Sequence, residues 1–152
     1  MRIYQTMELR NHNVNGHRLL QAYVDYRSPD GSIKRGRIQL DTQSNVNYVI
    51  SKEALPRERR AWESDTAIGI SQKPIKLGRP NTFTLMKEGK PITIDSVKAP
   101  PEMFKDGCFG LLGLDAITQL GIDINYHIGH NKHVDIQYKP DTYDNAVCIR
   151  AK

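Results

Sequence analysis

The feature that most constrains this chain is apolar–polar alternation with a period of two, repeated between strong turn signals. In "RLLQAYVDY" (18–26), Leu20, Ala22, Val24 and Tyr26 alternate with Gln21, Tyr23 and Asp25, the pattern of a strand with one buried face. "SPDGS" (28–32) comes next, with Pro and Asp-Gly where a turn wants them. "IKRGRIQL" (33–40) then alternates again and brings Ile38 and Leu40 onto one face. The two runs predict a β-hairpin whose second strand leads straight into Asp41. "VNYVI" (46–50) reads as another strand and "SKEAL" (51–55) as a helical turn capped by Ser51 and limited by Pro56. Further on, "TAIGI" and "KPIKLG" flank Ser71-Gln72, "TFTLM" succeeds them, and "KPITIDSV" comes after the turn-like "KEGK". "GCFGLLGLD" (107–115) is too rich in glycine for a long helix, whereas "DAITQLG" suits a short one, capped by Asp115 and closed by Gly121. "IDINY" and "HVDIQY" predict a last hairpin through "HIGHNK", and one more strand is expected at "AVCIR" in the polar tail 140–152. The expectation is a mostly-β single domain over 1–152, its core spanning roughly residues 18–138, with one or two short helices.

Composition narrows the function classes. No run of about 18 apolar residues is present, so no spanning helix is expected. The opening "MRIYQTMELR" lacks the apolar segment of a signal peptide. Charge is modestly basic, 22 − 17 = +5, and the densest clusters, "KRGR" (34–37) and "PRERR" (56–60), are short with few aromatics nearby. Surface solvation is favoured there over nucleic-acid contact, and an RNA-binding reading would require salt-dependent affinity through those clusters. Cys108 and Cys148 form no CxxC pair, so a reducing compartment is the default, with one disulfide left open. His127, His130 and His133 straddle the last hairpin, and only His127 and His133 share strand parity. No cysteine or carboxylate set completes a tetrahedral site, so neither metal nor cofactor is expected. Asp123 and Asp135 alternate with apolar residues and are expected to face solvent, and Trp62 to pack beside the hairpin at 66–78.

Between two apolar runs stands the tetrad Asp41-Thr42-Gln43-Ser44. One reading is a solvent-facing turn in which Asp and Thr bond local backbone. The other rests on the order of elements C-terminal to it: a Gly-containing hairpin about thirty residues on, then "LLGLDAITQLGIDINY". That ordered set resembles the retropepsin-like aspartic proteases of retroviruses and LTR retrotransposons. Leu111-Leu112-Gly113 matches the family's hydrophobic-hydrophobic-Gly segment before a helix, and "IDINYHIGHNKHVDIQY" its terminal hairpin. The resemblance implies a closed, barrel-like β subunit with a flap hairpin. It implies catalytic roles for Asp41, Thr42 and Ser44, with Thr42 bonding across a dimer axis and Ser44 donating to the outer oxygen of Asp41. The flap would occupy 66–78, and Gly69, Ile70, Ser71 and Gln72 at its tip, with Gln43, would contact substrate.

Hydrolysing a peptide at mild pH takes a base to activate water and an acid to protonate the leaving group. Two carboxyls about 3 Å apart cannot both ionise easily, so they share a proton and divide those roles, the pattern established for aspartic proteases. With one Asp-Thr-x-Ser in the chain, the resemblance implies a homodimer whose Asp41 pair titrates as a unit. It implies a polypeptide substrate, the chain's own polyprotein, and an intracellular setting in cytoplasm or retroelement particles, without membrane or cofactor. Gln43 departs from the pattern, which has glycine there. Three readings compete: an active endopeptidase whose backbone accommodates Gln43, a non-catalytic dimerisation or peptide-binding module, or an introduced change.

Overall fold

Turns decide which alternating runs become paired strands, and most of those turns lie where the sequence puts them. The computed structural model describes residues 5–8, 20–68, 73–100, 102–104, 107–127 and 133–139. The strands in chain order are β1 (Gln5–Glu8), β2 (Leu20–Arg27), β3 (Ile33–Leu40) and β4 (Tyr48–Val49), then β5 (Leu55–Pro56), β6 (Thr66–Ile68) and β7 (Pro74–Lys76). β8 (Pro80–Lys87), β9 (Lys90–Lys98) and β10 (Gly110–Leu112) precede one α-helix, α1 (Leu114–Gln119), and β11 (Ile122–His127) and β12 (His133–Tyr138) close the series.

β2 and β3 pair antiparallel along their whole length, from Leu20 opposite Leu40 to Arg27 opposite Ile33. Their turn is clamped by the Asp30 carboxylate, which accepts from the Ser32 N–H at 2.9 Å and the Ser32 hydroxyl at 2.6 Å. β8 and β9 form the second long hairpin, turning through Glu88 and Gly89. Both turn residues have positive φ, 52° and 76°, the two-residue turn whose twist matches its strands. The order β2-β3-β10-β4-β9-β8 returns to β2 through Tyr26 opposite Leu85, so these strands close on themselves as a barrel, with β5 added along β8. Two pairings in this ring are parallel, β3 with β10 and β4 with β9. A second sheet, ordered β1-β12-β11, stands apart in pairing.

The inward faces make one core. Ala22, Val24, Tyr26, Ile38, Leu40, Val49, Phe83, Leu85 and Leu112 from the ring join Ala116, Ile117 and Leu120 of α1 and Ile122, Ile136 and Tyr138 of the second sheet. Leu112, Leu85 and Ile38 are fully buried, each burial stabilising the fold by about 1.5–3 kcal/mol. The sequence expectation of a mostly-β, closed architecture with short helices agrees with this arrangement.

Several local expectations are corrected. The strand expected over 46–50 shrinks to Tyr48–Val49, because the residues before it are engaged by the Asp41 loop. Ser51 does not cap its 3-10 turn (Ser51–Glu53); it is the first helical residue and Ile50 occupies the cap position. Asp115 is not the cap of α1 either. Gly113 is, and Asp115 lies in the exposed first turn, where a negative charge suits the helix dipole. Gly121 ends the helix as expected, with φ 65°. The strand expected at "AVCIR", and Cys148 with it, lie outside the described residues. Among those residues, no helix is long and apolar enough to cross a membrane.

Candidate functional site

β3 delivers Asp41 to the end of the barrel beside β10, since Leu40 pairs in parallel register with Leu112. The pairing continues one bond further, where the Asp41 N–H donates to the Leu112 carbonyl at 2.9 Å. The chain then turns: the Ser44 N–H bonds the Asp41 carbonyl at 3.1 Å, and the Gln43 N–H bonds Asp41 Oδ1 at 2.9 Å. This is an Asp-led turn in which the side chain takes a backbone donor two residues on. The Asp41 side chain is half-buried, while Thr42 and Gln43 are exposed.

The opposite wall of the loop is Gly113. A Cβ built there would collide with the Ser44 carbonyl oxygen and lie 3.1 Å from that of Val46, so only glycine permits the approach. The closeness is used. Gly113 donates its N–H to Asn47 Oδ1 at 2.8 Å, and the next N–H, of Leu114, donates to the Ser44 carbonyl at 2.8 Å. The Ser44 carbonyl therefore satisfies one of the orphan donors at the start of α1, which explains why the helix has no capping side chain. The Asp41 loop, the Leu111-Leu112-Gly113 strand and α1 form a single hydrogen-bonded unit.

The structure differs from expectation at Ser44. Its hydroxyl does not donate to Asp41; it donates to the Val46 carbonyl at 2.7 Å and accepts from the Val46 N–H at 3.1 Å. A short hydroxyl side chain that can satisfy both its functions two residues away does so, and the Gln43 N–H takes the place at Asp41. Gln43, the departure from glycine, is not strained. Among the described residues the only non-glycine with positive φ is Glu88, so the loop has no left-handed position that would demand glycine at 43.

The hairpin expected at 66–78 exists as β6 antiparallel to β7, from Thr66 opposite Lys76 to Ile68 opposite Pro74, and is extended by the Leu77 N–H donating to the Asp65 carbonyl at 2.8 Å. Its expected tip, Gly69, Ile70, Ser71 and Gln72, lies outside the described residues. The "PRERR" segment, read from the sequence as solvated surface, holds the root of this hairpin. Arg59 reaches both sides of it, donating from Nη1 to the Ser64 carbonyl at 2.8 Å and from Nη2 to the Gly78 carbonyl at 3.1 Å. Arg57 forks onto Glu63 with Nη1–Oε1 2.6 Å and Nη2–Oε2 2.7 Å. Asp95 on β9 joins through Arg60 Nη1 at 2.6 Å and through an ion-pair contact from Arg57 Nε at 3.4 Å. The Arg57 fork, aided by the Arg60 N–H, lowers the pKa of Glu63 from its ordinary 4.5 to about 2. Trp62, expected to pack beside the hairpin, is instead 77% exposed, with the Arg60 guanidinium 5.8 Å from its ring.

Of the other sequence candidates, His127 stands opposite His133 in register, and His130 lies outside the described residues. Among the described residues no group of three or more His, Cys, Asp or Glu is placed to hold a metal. Asn47, which the sequence pattern does not single out, proves central to the loop. Its one signal was proximity to Asp41, because both partners of its side chain are distant in sequence. No family model matches the chain, and no curated protein matches it.

Proposed function

We propose that the chain is an aspartic endopeptidase that acts as a homodimer, with Asp41 of two copies as its catalytic pair and a polypeptide, its own precursor polyprotein, as substrate. One observation carries the reading: Asp41 leaves a buried barrel strand, is bonded to Leu112, and opens a loop whose Ser44 lies against Gly113 at a distance only glycine allows. A plain surface turn has no need of such backing. An acid–base residue does, because its carboxyl must be held in one geometry while a proton moves.

In this reading two Asp41 carboxyls face each other across a two-fold axis and share one proton. The ionised carboxylate takes a proton from water as it attacks the peptide carbonyl. The protonated partner hydrogen-bonds the carbonyl oxygen, and a carboxyl then protonates the departing amine. The Gln43 N–H, already on Oδ1 of Asp41, holds the carboxyl in one orientation. Thr42, exposed at the turn, is the residue of the loop for contact with the second copy. The β6–β7 hairpin acts as the lid that excludes water, and Gln43, exposed beside Asp41, faces the substrate.

The test is cleavage of a denatured polypeptide at pH 4–6 by the wild-type chain and by Asp41→Asn. The expected result is a loss of rate of about 10²–10⁴-fold in the variant. Equal cleavage by both proteins rejects the mechanism. A wild-type chain that binds peptides without turning them over leaves a non-catalytic binding module instead.

A further inference from the structure

We propose that Asn47 is a positioning residue that ties the root of the β6–β7 hairpin to the Asp41 loop. The inference rests on the peptidase reading for its purpose, though the tie itself consists of bonds in one chain.

A carboxamide has an acceptor on one side and donors on the other, and Asn47 uses them in opposite directions. Its Oδ1 accepts from the Gly113 N–H at 2.8 Å, at the wall of the Asp41 loop. Its Nδ2 donates to the Asp95 carbonyl at 2.9 Å, on β9. The Asn47 main chain repeats the second attachment, its carbonyl accepting from the Val97 N–H at 2.9 Å. Asp95 in turn holds the hairpin root, because its carboxylate receives Arg60 at 2.6 Å and touches Arg57 at 3.4 Å. Arg57 is forked onto Glu63, whose Oε1 also takes the Arg60 N–H at 3.0 Å. From there Arg59 spans the carbonyls of Ser64 and Gly78, just outside β6 and β7. These hydrogen bonds and ion pairs, joined through the backbone at Arg59–Arg60, Asp95 and Leu112–Gly113, make a path from hairpin to Asp41.

The character of the links suits a relay rather than a brace. Arg60 and Asp95 are 45% and 47% exposed in their side chains, and exposed pairs add little stability because solvent screens them. Such a pair restrains the Asp95 side chain, while β8 pairing and Asn47 hold its main chain, so Asp95 is the junction between the arginine cluster and Asn47. Contiguous polar networks of this kind can couple distant sites.

Amide hydrogen exchange on the full chain tests the tie without any substrate. The proteins compared are wild type, Arg60→Ala, Asn47→Asp and the double variant. Asn47→Asp retains an acceptor for Gly113 and removes the donor to Asp95. The expected result is that Arg60→Ala speeds exchange at the Gly113 and Leu114 amides about fivefold in the wild-type background. In the Asn47→Asp background the same change adds less than about 1.5-fold, because the path is already cut. Unchanged amides in Arg60→Ala, a variant at a half-exposed surface position, overturn the proposal by themselves. So does an equal acceleration in both backgrounds, which means the route bypasses Asn47. Since exchange needs no turnover, a chain that fails to cut peptides can still show the tie, and the two readings fail separately. In an active chain Arg60→Ala lowers kcat about fivefold with KM within about twofold; an effect confined to KM overturns the role in positioning Asp41.

Discussion

The loop at Asp41 is clasped by main-chain hydrogen bonds between buried strands, whereas the root of the β6–β7 hairpin hangs on arginine side chains at the surface. In the first region the Asp41, Leu112, Ser44 and Leu114 backbones bond one another, the Asn47 side chain takes the Gly113 N–H, and Leu112 is fully buried. In the second, Arg57, Arg59 and Arg60 hold Glu63, Asp95 and the carbonyls of Ser64 and Gly78. Main-chain clasps within a core cannot loosen without disturbing the barrel, so they suit a group that must not move. The half-exposed Arg60–Asp95 pair can break and reform at little cost, which suits an element that must admit a substrate, while the part-buried Arg57–Glu63 fork keeps its root together. The contrast yields a graded set of expectations.

The largest effect is expected at the wall of the loop. Leu112→Ala empties a fully buried site and should cost about 2–5 kcal/mol by denaturant unfolding. A cost below about 1 kcal/mol would mean that the clasp does not depend on the core. Next, Gly113→Ala drives a Cβ into the Ser44 carbonyl and should cost about 1–3 kcal/mol by overpacking. It should also remove most peptidase activity, and full activity in a folded Gly113→Ala protein would break the link between clasp and site.

At the hairpin the effects should be smaller and dependent on conditions. Glu63→Gln removes a carboxylate whose folded pKa, about 2, lies below its ordinary 4.5. Because the folded value is the lower one, the stabilisation is complete above about pH 4.5 and is lost as pH falls through about 2. Glu63→Gln should therefore lower Tm by about 2–4 °C at pH 5 to 7, or about 1 kcal/mol, and by nothing near pH 2. A gap that widens on acidification would contradict the assigned sign. The low value also keeps the root intact at pH 4–6, where a shared-proton carboxyl pair would work. The smallest effect is expected at Gln43. Its side chain is exposed and its backbone unstrained, so Gln43→Gly should cost no more than about 1 kcal/mol, through chain entropy, and change peptidase rate by only a few-fold. A gain of a hundredfold would show that Gln43 obstructs the site.

The same contrast explains what was legible in the sequence. β3 was readable to the residue, because alternation and the Asp-Gly turn fix both its face and its start. The tetrad and Leu111-Leu112-Gly113 could be picked out because apolar runs frame the first and a glycine the second. What stayed hidden depends on partners far along the chain. β1 pairs with β12, Gln5 opposite Ile136, and nothing local in "QTME" announces a strand. The arginines of "PRERR" look like solvated surface until Asp95 and Gly78 are brought beside them. Trp62 shows the reverse error, since an aromatic near a hairpin invites burial, yet the residue is exposed, with the Arg60 guanidinium over its ring. Ser44 was misjudged for a local reason: a hydroxyl able to close a ring with Val46 has no need of Asp41.

The central claim is that two Asp41 carboxyls from separate copies make one site. It is tested most directly by mixing wild-type and Asp41→Asn chains, letting them exchange subunits, and measuring peptidase rate at constant total concentration. If each active unit needs two intact carboxyls, the rate follows the square of the wild-type fraction, so an equal mixture retains about a quarter of the activity. A rate that falls linearly, leaving half, would mean that each copy works alone and would contradict the account.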